Sequence, residues 1–276
     1  MPCNRIEIEE GLRVRIKPIS AKASRAPKGE KVRPESPQRI ARTVIAVTAT
    51  VVIASVIIGI LATQFGGSPH AKEVSIFSDN FESYPVGNLP SSGGWEIVWN
   101  GMGDAYQVIS DAYSYSPTKS FQLWGQPWWS AVVQKRITTD AKIIGYEASI
   151  LLDSLGTLDS WTSSDWFGFF NSSATTWGEW WATVGFDHRD MEIKTGSDST
   201  VLGDWATQRW YKIKVILDRE KITYDVWIND TLVGQNLKTD TDSYAINAVA
   251  LKSDHPGSKV YYDDVKVFRA EPSPGV

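Results

Sequence analysis

The chain has 276 residues, 42% of them hydrophobic and 22% charged, with a formal net charge of −4 and a single cysteine. One cysteine excludes a disulfide within the chain, so a folded domain must rely on core burial or on a metal. The small net charge indicates no particular partner, because it averages two unlike parts. Residues 1–42 carry eleven Lys/Arg against five Asp/Glu, whereas the 211 residues after position 65 carry seventeen against twenty-seven.

The first 42 residues interleave Lys and Arg with proline and contain few apolar side chains, which predicts a disordered tail. Its basic charge would either attract anionic lipid headgroups or serve only as a topology signal. We favour the topology signal, because the charges are spread along the tail rather than clustered. The tail contains no aromatic residue, which argues against nucleic acid as a partner.

Residues 43–65 carry no charge and are largely apolar. A helix of this length rises about 34 Å, enough to cross a hydrocarbon core of roughly 30 Å, so a single transmembrane α-helix is predicted. Positive charge before it predicts a cytoplasmic amino-terminus and an extracellular domain at the plasma membrane. The run is too long for a cleaved signal peptide, so we expect an uncleaved anchor. Ser55 and Gly59 form a small-xxx-small step that would let two copies pack as a homo-oligomer.

A linker is predicted at residues 66–73, and from position 74 short alternating segments are separated by Gly, Pro, Asn, Asp and Ser. Strands are predicted at 95–100, 120–125, 130–138, 145–153, 166–170, 181–186, 191–194, 210–218, 221–229, 245–252 and 259–268. This spacing predicts an all-β domain at 74–270, an antiparallel two-sheet jelly-roll sandwich, followed by a tail at 271–276. In the hairpin at 210–229, alternation predicts one face in the core and one in solvent, with Ile222 on the core side.

All thirteen tryptophans lie between Trp95 and Trp227, and two clusters occupy residues 124–129 and 177–181. Neighbouring residues on a strand point to opposite faces, so at most one ring of each Trp-Trp pair can enter the core. A large exposed indole is costly unless it has a use, and its flat face suits a sugar ring.

We therefore predict a carbohydrate-binding platform made of Trp124, Trp128, Trp129, Trp166, Trp177, Trp180 and Trp181. Candidates for binding the sugar hydroxyls are Gln126, Asn171, Glu179 and Asp187. The alternative is that the tryptophans fill the space between two sheets. We prefer that alternative for Trp95, Trp210 and Trp227.

Three segments, at 76–95 (IFSDNFESYPVGNLPSSGGW), 210–234 and 258–268 (SKVYYDDVKVF), together resemble the concanavalin A-like lectin/glucanase superfamily in its laminin-G-like jelly-roll form. The resemblance covers about residues 74–269. It implies two curved antiparallel sheets, terminal strands that lie side by side, and sugars held on the concave sheet.

The same resemblance implies a structural calcium ion bound by Asp79, by Asn80 through its backbone carbonyl, and by Asp263. Ca²⁺ prefers hard oxygen ligands, and a clamp between distant strands would compensate for the missing disulfides. Strand alternation favours Asp263 over Asp264, because Asp263 then shares a face with Val265. The alternative is that both aspartates cap a strand in solvent.

Signals for catalysis are weak. Glucanases of the superfamily carry a Glu-x-Asp-x-x-Glu strand, whereas Glu147 in this chain has no carboxylate two residues further on. We therefore expect no enzyme, and we expect His188 to be a surface residue at the end of a strand. Two glycosylation sequons, at Asn171 and Asn229, fall in predicted turns.

Together these patterns predict a single-pass surface protein whose outer domain binds glycans or glycosylated surface components. One alternative is a protein-binding adhesion or envelope-scaffold domain that uses the same aromatic patch as its interface. Another is a glycan hydrolase or lyase that acts through Glu179 or Asp187.

Overall fold

A computed structural model describes residues 72–89, 93–126, 129–156, 164–171, 173, 179–196, 199–239, 245–253 and 257–271. The predicted tail, transmembrane helix and most of the linker lie outside these residues, as do Trp128 and Trp177. None of the helices in the described ranges has the length and apolar character that a bilayer crossing requires.

The described part of the chain is almost entirely β-structure, as predicted. In chain order the strands are β1 (Lys72–Asp79), β2 (Gly87–Asn88), β3 (Trp95–Asn100), β4 (Gln107–Ser110), β5 (Ser120–Leu123), β6 (Ala131–Arg136), β7 (Ile143–Leu152), β8 (Ser164–Asn171), β9 (Glu179–Asp187), β10 (Glu192–Thr195), β11 (Val201–Asp204), β12 (Tyr211–Asp218), β13 (Thr223–Ile228), β14 (Thr231–Lys238), β15 (Ala248–Ser253) and β16 (Val260–Glu271). A single turn of 3-10 helix, Asp104–Tyr106, precedes β4.

These strands form two antiparallel sheets, which confirms the predicted sandwich. Sheet A has the order β14-β13-β12-β7-β16-β5-β4-β2, with β1 added beside β16, and sheet B has the order β11-β10-β9-β8-β15-β6-β3. The terminal strands pair directly, from Lys72 opposite Glu271 to Asp79 opposite Val265. Strand β1 therefore begins within the predicted linker, and β16 extends into the predicted tail.

The core lies between the sheets and is built by strand alternation. Along β12 the residues Tyr211, Ile213 and Val215 are buried, whereas the lysines between them are partly exposed. This confirms the alternation predicted for the hairpin. Ile222 was predicted wrongly: it has a left-handed backbone in the turn between β12 and β13, and its side chain is exposed.

Two of the three tryptophans assigned to the core lie elsewhere. Trp95 is buried between the sheets, as predicted. Trp227 pairs across strands with Lys214, and because Lys214 points away from the core, so does Trp227. Trp210 precedes the inward-facing Tyr211, so it lies on the same outer face of sheet A, and both rings are half-buried.

Candidate functional site

The outer face of sheet B, turned away from the core, carries a group of aromatic side chains. On β8, Phe167 and Phe169 enter the core, so alternation directs Trp166, Gly168 and Phe170 outward. Neighbouring strands contribute small residues, because Ala250 of β15 lies opposite Gly168 and Ala248 lies opposite Phe170. We call this surface the sheet B face.

A small apolar cluster forms the floor of the sheet B face. Its fully covered members are Val132, Phe170, Ala248 and Ala250, and the partly buried residues that pack on them are Val98, Trp99 and Trp180. Since the floor residues are inaccessible, a ligand on this face would meet the indole rings that stand above them.

Trp166 is held against the backbone of the neighbouring strand. Gly185 lies opposite it on β9, and a Cβ added to Gly185 would lie only 2.5 Å from Cε3 of the Trp166 ring. The missing side chain therefore leaves the space that this ring occupies. Trp166 keeps part of its surface exposed, so the indole can offer a contact area without moving.

The Trp180–Trp181 pair divides as strand alternation predicts. Trp181 is buried in the core with only 3% of its surface exposed. Its assignment to the binding platform was therefore wrong. Trp180 lies on the sheet B face, where its ring packs on Phe170 with 4.6 Å between centroids and 52° between planes.

A third half-buried indole, Trp99, belongs to the same face and was missed by the sequence reasoning. It lies opposite Val132 of β6, in one cross-strand row with Lys252 and Trp166. Three strand spacings separate it from Trp166, or about 14 Å. A similar distance separates Trp166 from Trp180, which pairs with Phe170 four residues further along β8. The alternation of inward and outward side chains on the strands beside the floor cluster is the sequence signal that could have identified Trp99.

A polar group borders the floor between these rings. Gln134 lies opposite Ala250 and is almost fully buried. Its amide nitrogen donates to Glu96 Oε2 at 2.9 Å, and Arg136 Nε donates to the same carboxylate at 2.9 Å. Among the described residues, no donor reaches Oε1 of Gln134. A buried amide oxygen in this state favours a hydrogen bond from a ligand or a water molecule.

At the Trp166 end, three carboxylates surround the ammonium group of Lys194. Its Nζ lies 2.9 Å from Asp187, 3.1 Å from Asp190 and 2.9 Å from Glu192. Hydrogen bonds to Glu192 and Asp187 raise the pKa of Lys194 well above its ordinary value. Burial opposes ionisation of Asp187, but Lys194 and two backbone N–H groups outweigh it and hold the pKa of this carboxyl below its usual range.

The two carboxylates proposed for a hydrolase do not form a pair. Glu179 and Asp187 are the first and last residues of β9, so about 25 Å separates them. Glycoside hydrolysis requires two carboxyl groups within roughly 5–10 Å of each other. These two residues cannot serve one glycosidic bond together.

In the other predicted platform cluster, Trp124 lies away from the sheet B face. Trp124 packs on Tyr106 with 4.8 Å between centroids, and Lys259 Nζ lies 5.6 Å from its ring centre, beside strands of sheet A. Trp129 is 59% exposed in the turn that leads into β6, where its backbone exchanges two hydrogen bonds with Gln126. These rings were grouped because they are close together in the sequence, which does not show the sheet to which each of them belongs.

Two further residues differ from expectation. His188 is not at the surface: it is 1% exposed, with Nε2 2.8 Å from Oδ2 of Asp165. Asn171 ends β8 and is buried, and its Oδ1 accepts hydrogen bonds from Ser173 N and Asn247 Nδ2. The acceptor asparagine of this sequon therefore lies at the end of a strand, whereas Ser173 of the same sequon is an exposed turn residue. Asn229 is exposed in the turn before β14, as predicted.

The two carboxylates predicted to bind calcium both accept hydrogen bonds from protein donors. Asp79 accepts from Phe81 N, Tyr84 Oη and Trp95 Nε1 at 2.6–2.9 Å. Each of these groups points a hydrogen at the carboxylate oxygens. A cation at the same oxygens would have to displace these hydrogens. Within the described ranges, no three His, Cys, Asp or Glu side chains gather as a metal ion would require.

Asp263 is satisfied in the same way on the other strand. It is fully buried, it accepts from the backbone N–H groups of Tyr115, Ser116 and Asp264, and burial raises its pKa to about 6. The alternation used to select it is interrupted, because Asp264 adopts a left-handed backbone in a bulge and both Tyr262 and Val265 face the core. The donors present do not fit the implied ion, and calcium stays a prediction.

No family model matches the sequence, and no curated protein is significantly similar to it. Among solved structures, a sialidase matches 72% of the chain at 11% identity with a TM-score of 0.53, and the chain spans 18% of that protein. The GH131 beta-glucanase catalytic domain from Podospora anserina matches 74% of the chain at 13% identity, over 97% of its own length, with a TM-score of 0.50. The carbohydrate recognition domain of Emp47p matches 74% of the chain at 11% identity, over its full length, with a TM-score of 0.47. At these identities the likeness shows the fold, a β-sandwich compatible with the concanavalin A-like architecture.

Proposed function

We propose that this protein is a carbohydrate-binding module that holds an oligosaccharide on the sheet B face and does not cleave it. The observation that carries the proposal is the placement of three half-buried indoles, Trp99, Trp166 and Trp180, on one face beside an apolar floor. A tryptophan with one covered and one accessible side offers a flat, rigid contact area to a sugar ring.

The spacing of these indoles favours a chain of sugars over a single one. About 14 Å separates the backbone position of Trp166 from those of the other two tryptophans, which is more than one sugar ring spans. Between them, Gln134 has an amide oxygen without a described partner, but this atom is covered and a ligand would reach it only if the side chains above it moved.

Comparison with known folds supports a ligand of this class. The sialidase and the beta-glucanase that share the fold are both named for activities on carbohydrates. We place this chain among binding proteins rather than hydrolases, because Glu179 and Asp187 are about 25 Å apart and Asp187 is engaged by Lys194.

We further propose that residues 43–65 anchor the domain in the plasma membrane with the sandwich outside the cell. The uncharged run and the basic residues before it support this orientation. Strand β1 begins at Lys72, so six residues join the anchor to the sandwich and span at most about 22 Å. The ligand is then close to the cell's own envelope or pressed against it.

A glycan array probed with the full chain in detergent tests the proposal. We expect binding to at least one oligosaccharide, reduced about tenfold or more by Trp166→Ala and by Trp180→Ala, because each removes a stacking surface. The matched control is Trp227→Ala, which removes an equally half-buried ring from the opposite sheet and is expected to leave binding unchanged. An array without any ligand contradicts the proposal, as does capture of a protein partner that free sugar cannot displace.

A further inference from the structure

We infer that the sheet B face selects uncharged glycans and discriminates against those that carry carboxylate or sulfate groups. This inference rests on the proposed carbohydrate-binding function and specifies its ligand class. The fold alone does not distinguish charged from neutral ligands, since a sialidase and a glucanase share it. The inference follows instead from the charges around the indole rings.

The first step is the negative charge beside Trp166. Asp187 lies two residues beyond Gly185, the cross-strand partner of Trp166, so it is a diagonal neighbour of the ring about 7–8 Å away. With Asp190 and Glu192 it surrounds the single ammonium of Lys194, which leaves this group a formal charge of −2. An anionic sugar stacked on Trp166 would meet a repulsive field.

The second step is the state of the positive charges. Lys194 and Arg136 both lie on the described part of the face and both are paired. Lys194 is held by its three carboxylates and Arg136 by Glu96 at 2.9 Å. Recognition of a carboxylate or sulfate by either side chain would compete with these contacts, which lowers affinity for such a ligand.

The remaining polar group adds nothing to this preference. Gln134 Oε1 can only accept a hydrogen bond, and in the described structure nothing donates to it. This oxygen is covered in the structure, so a sugar hydroxyl reaches it only if the side chains above it move. It is compatible with neutral and charged sugars alike, since both carry hydroxyl groups, and the preference for a neutral polyhydroxylated chain follows from the first two steps.

The experiment compares pairs of glycans that differ only in charge, with the full chain in detergent. Suitable pairs are sialylated oligosaccharides and their carboxyl methyl esters, polygalacturonate fragments and their methyl esters, and sulfated and desulfated galactan fragments. We expect the neutral member of every bound pair to bind about tenfold more tightly at low salt, and added salt to narrow the difference by screening.

A charge-neutralising variant completes the test. Asp190→Asn combined with Glu192→Gln should narrow the preference several-fold, whereas the matched control, Glu220→Gln with Asp230→Asn on the β12–β13 and β13–β14 turns, should not. Trp166-dependent binding that is as tight for the charged members overturns this inference and leaves the proposed function standing. Absence of binding to every member of every pair overturns both.

Discussion

His188 and Asp165 are buried together in the interior of the domain, with Nε2 of the imidazole 2.8 Å from Oδ2 of the carboxylate. The other ring nitrogen, Nδ1, lies 3.2 Å from the backbone carbonyl of Leu155. Both ring nitrogens are therefore within hydrogen-bond distance of an oxygen atom. Through its contacts with Asp165 and Leu155, His188 therefore connects the residue after β9 to the start of β8 and to the segment that follows β7.

Removing one partner of this pair should destabilise the domain strongly. Asp165→Ala leaves His188 buried opposite an empty site, and we expect a loss of about 3–5 kcal/mol in the free energy of unfolding. Asp165→Asn keeps an acceptor oxygen and should cost less. Urea unfolding followed by tryptophan fluorescence measures both, because every tryptophan lies between Trp95 and Trp227.

A matched surface pair provides the control for that comparison. Asp230 contacts Lys212 Nζ at 3.1 Å, but its side chain is 78% exposed. Asp230→Ala should therefore change stability by less than about 1 kcal/mol. Equal losses for the Asp165 and Asp230 variants would show that the buried pair contributes no more than a surface contact.

Glu73 gives the domain an acid-sensitive connection between its first strand and strands β12 and β16 of the same sheet. Its carboxylate pairs with Lys214 and lies 2.7 Å from Lys266 Nζ. Partial burial opposes ionisation, but the two lysines outweigh it and hold the pKa of Glu73 below its ordinary value. A depressed folded-state pKa means that the contribution is complete above the unfolded pKa and is lost as pH falls through the folded one.

Glu73→Gln should therefore lower the free energy of unfolding at pH 7 by about 1 kcal/mol or less, because the ion pairs are partly exposed. The difference from the wild-type protein should disappear near pH 3, where Glu73 is protonated. Urea midpoints at both pH values measure it. The control is Glu220→Gln, whose pair with Lys142 is more exposed on both sides. A deficit of the Glu73 variant that is equally large at pH 3 would assign it to packing rather than to charge.

The calcium prediction can be tested directly by measuring the melting temperature of the domain. An ion bound by Asp79, Asn80 and Asp263 would raise the melting temperature in proportion to its binding free energy, so chelator should lower it and added Ca²⁺ restore it. Binding would require these carboxylates to exchange their present N–H and O–H donors for the cation. A melting temperature that is the same in chelator and in Ca²⁺ removes the prediction.

Much of the fold could be predicted from the sequence because strand alternation is a local property. The β12–β13 hairpin showed its buried face in the sequence, and the Trp180–Trp181 pair divided as the two-residue period requires. The side-by-side terminal strands were implied by resemblance and are confirmed by the β1–β16 pairing. In each case the signal lay within one strand or in the order of whole segments.

The site was less predictable because it depends on register between distant strands. Trp99 and Trp166 share a row only through the pairings of β3, β6, β15 and β8, which no local pattern specifies. His188 was assigned to the surface because its partner, Asp165, lies 23 residues away. Trp227 was assigned to the core because of its size, whereas its pairing with Lys214 determines its side of the sheet.

Gly185 tests whether the position of Trp166 matters for binding. A Cβ at this position would lie 2.5 Å from Cε3 and 2.6 Å from Cζ3 of the Trp166 ring, so Gly185→Ala must push the indole away from β9. The obstructed atoms belong to a side chain rather than to backbone, so the ring can move while the sheet persists. We expect near-native stability, an altered near-UV circular dichroism spectrum and about tenfold weaker glycan binding.

Gly203→Ala is the matched control, since Gly203 is in β11 of the same sheet and an added Cβ there meets nothing within 4 Å. It should leave stability, spectrum and affinity unchanged. Unchanged affinity in the Gly185 variant together with an altered spectrum would show that the ring moves without consequence. Trp166 would then be a structural cover for β9, and the proposed contact with sugar would have to lie at Trp99 and Trp180 alone.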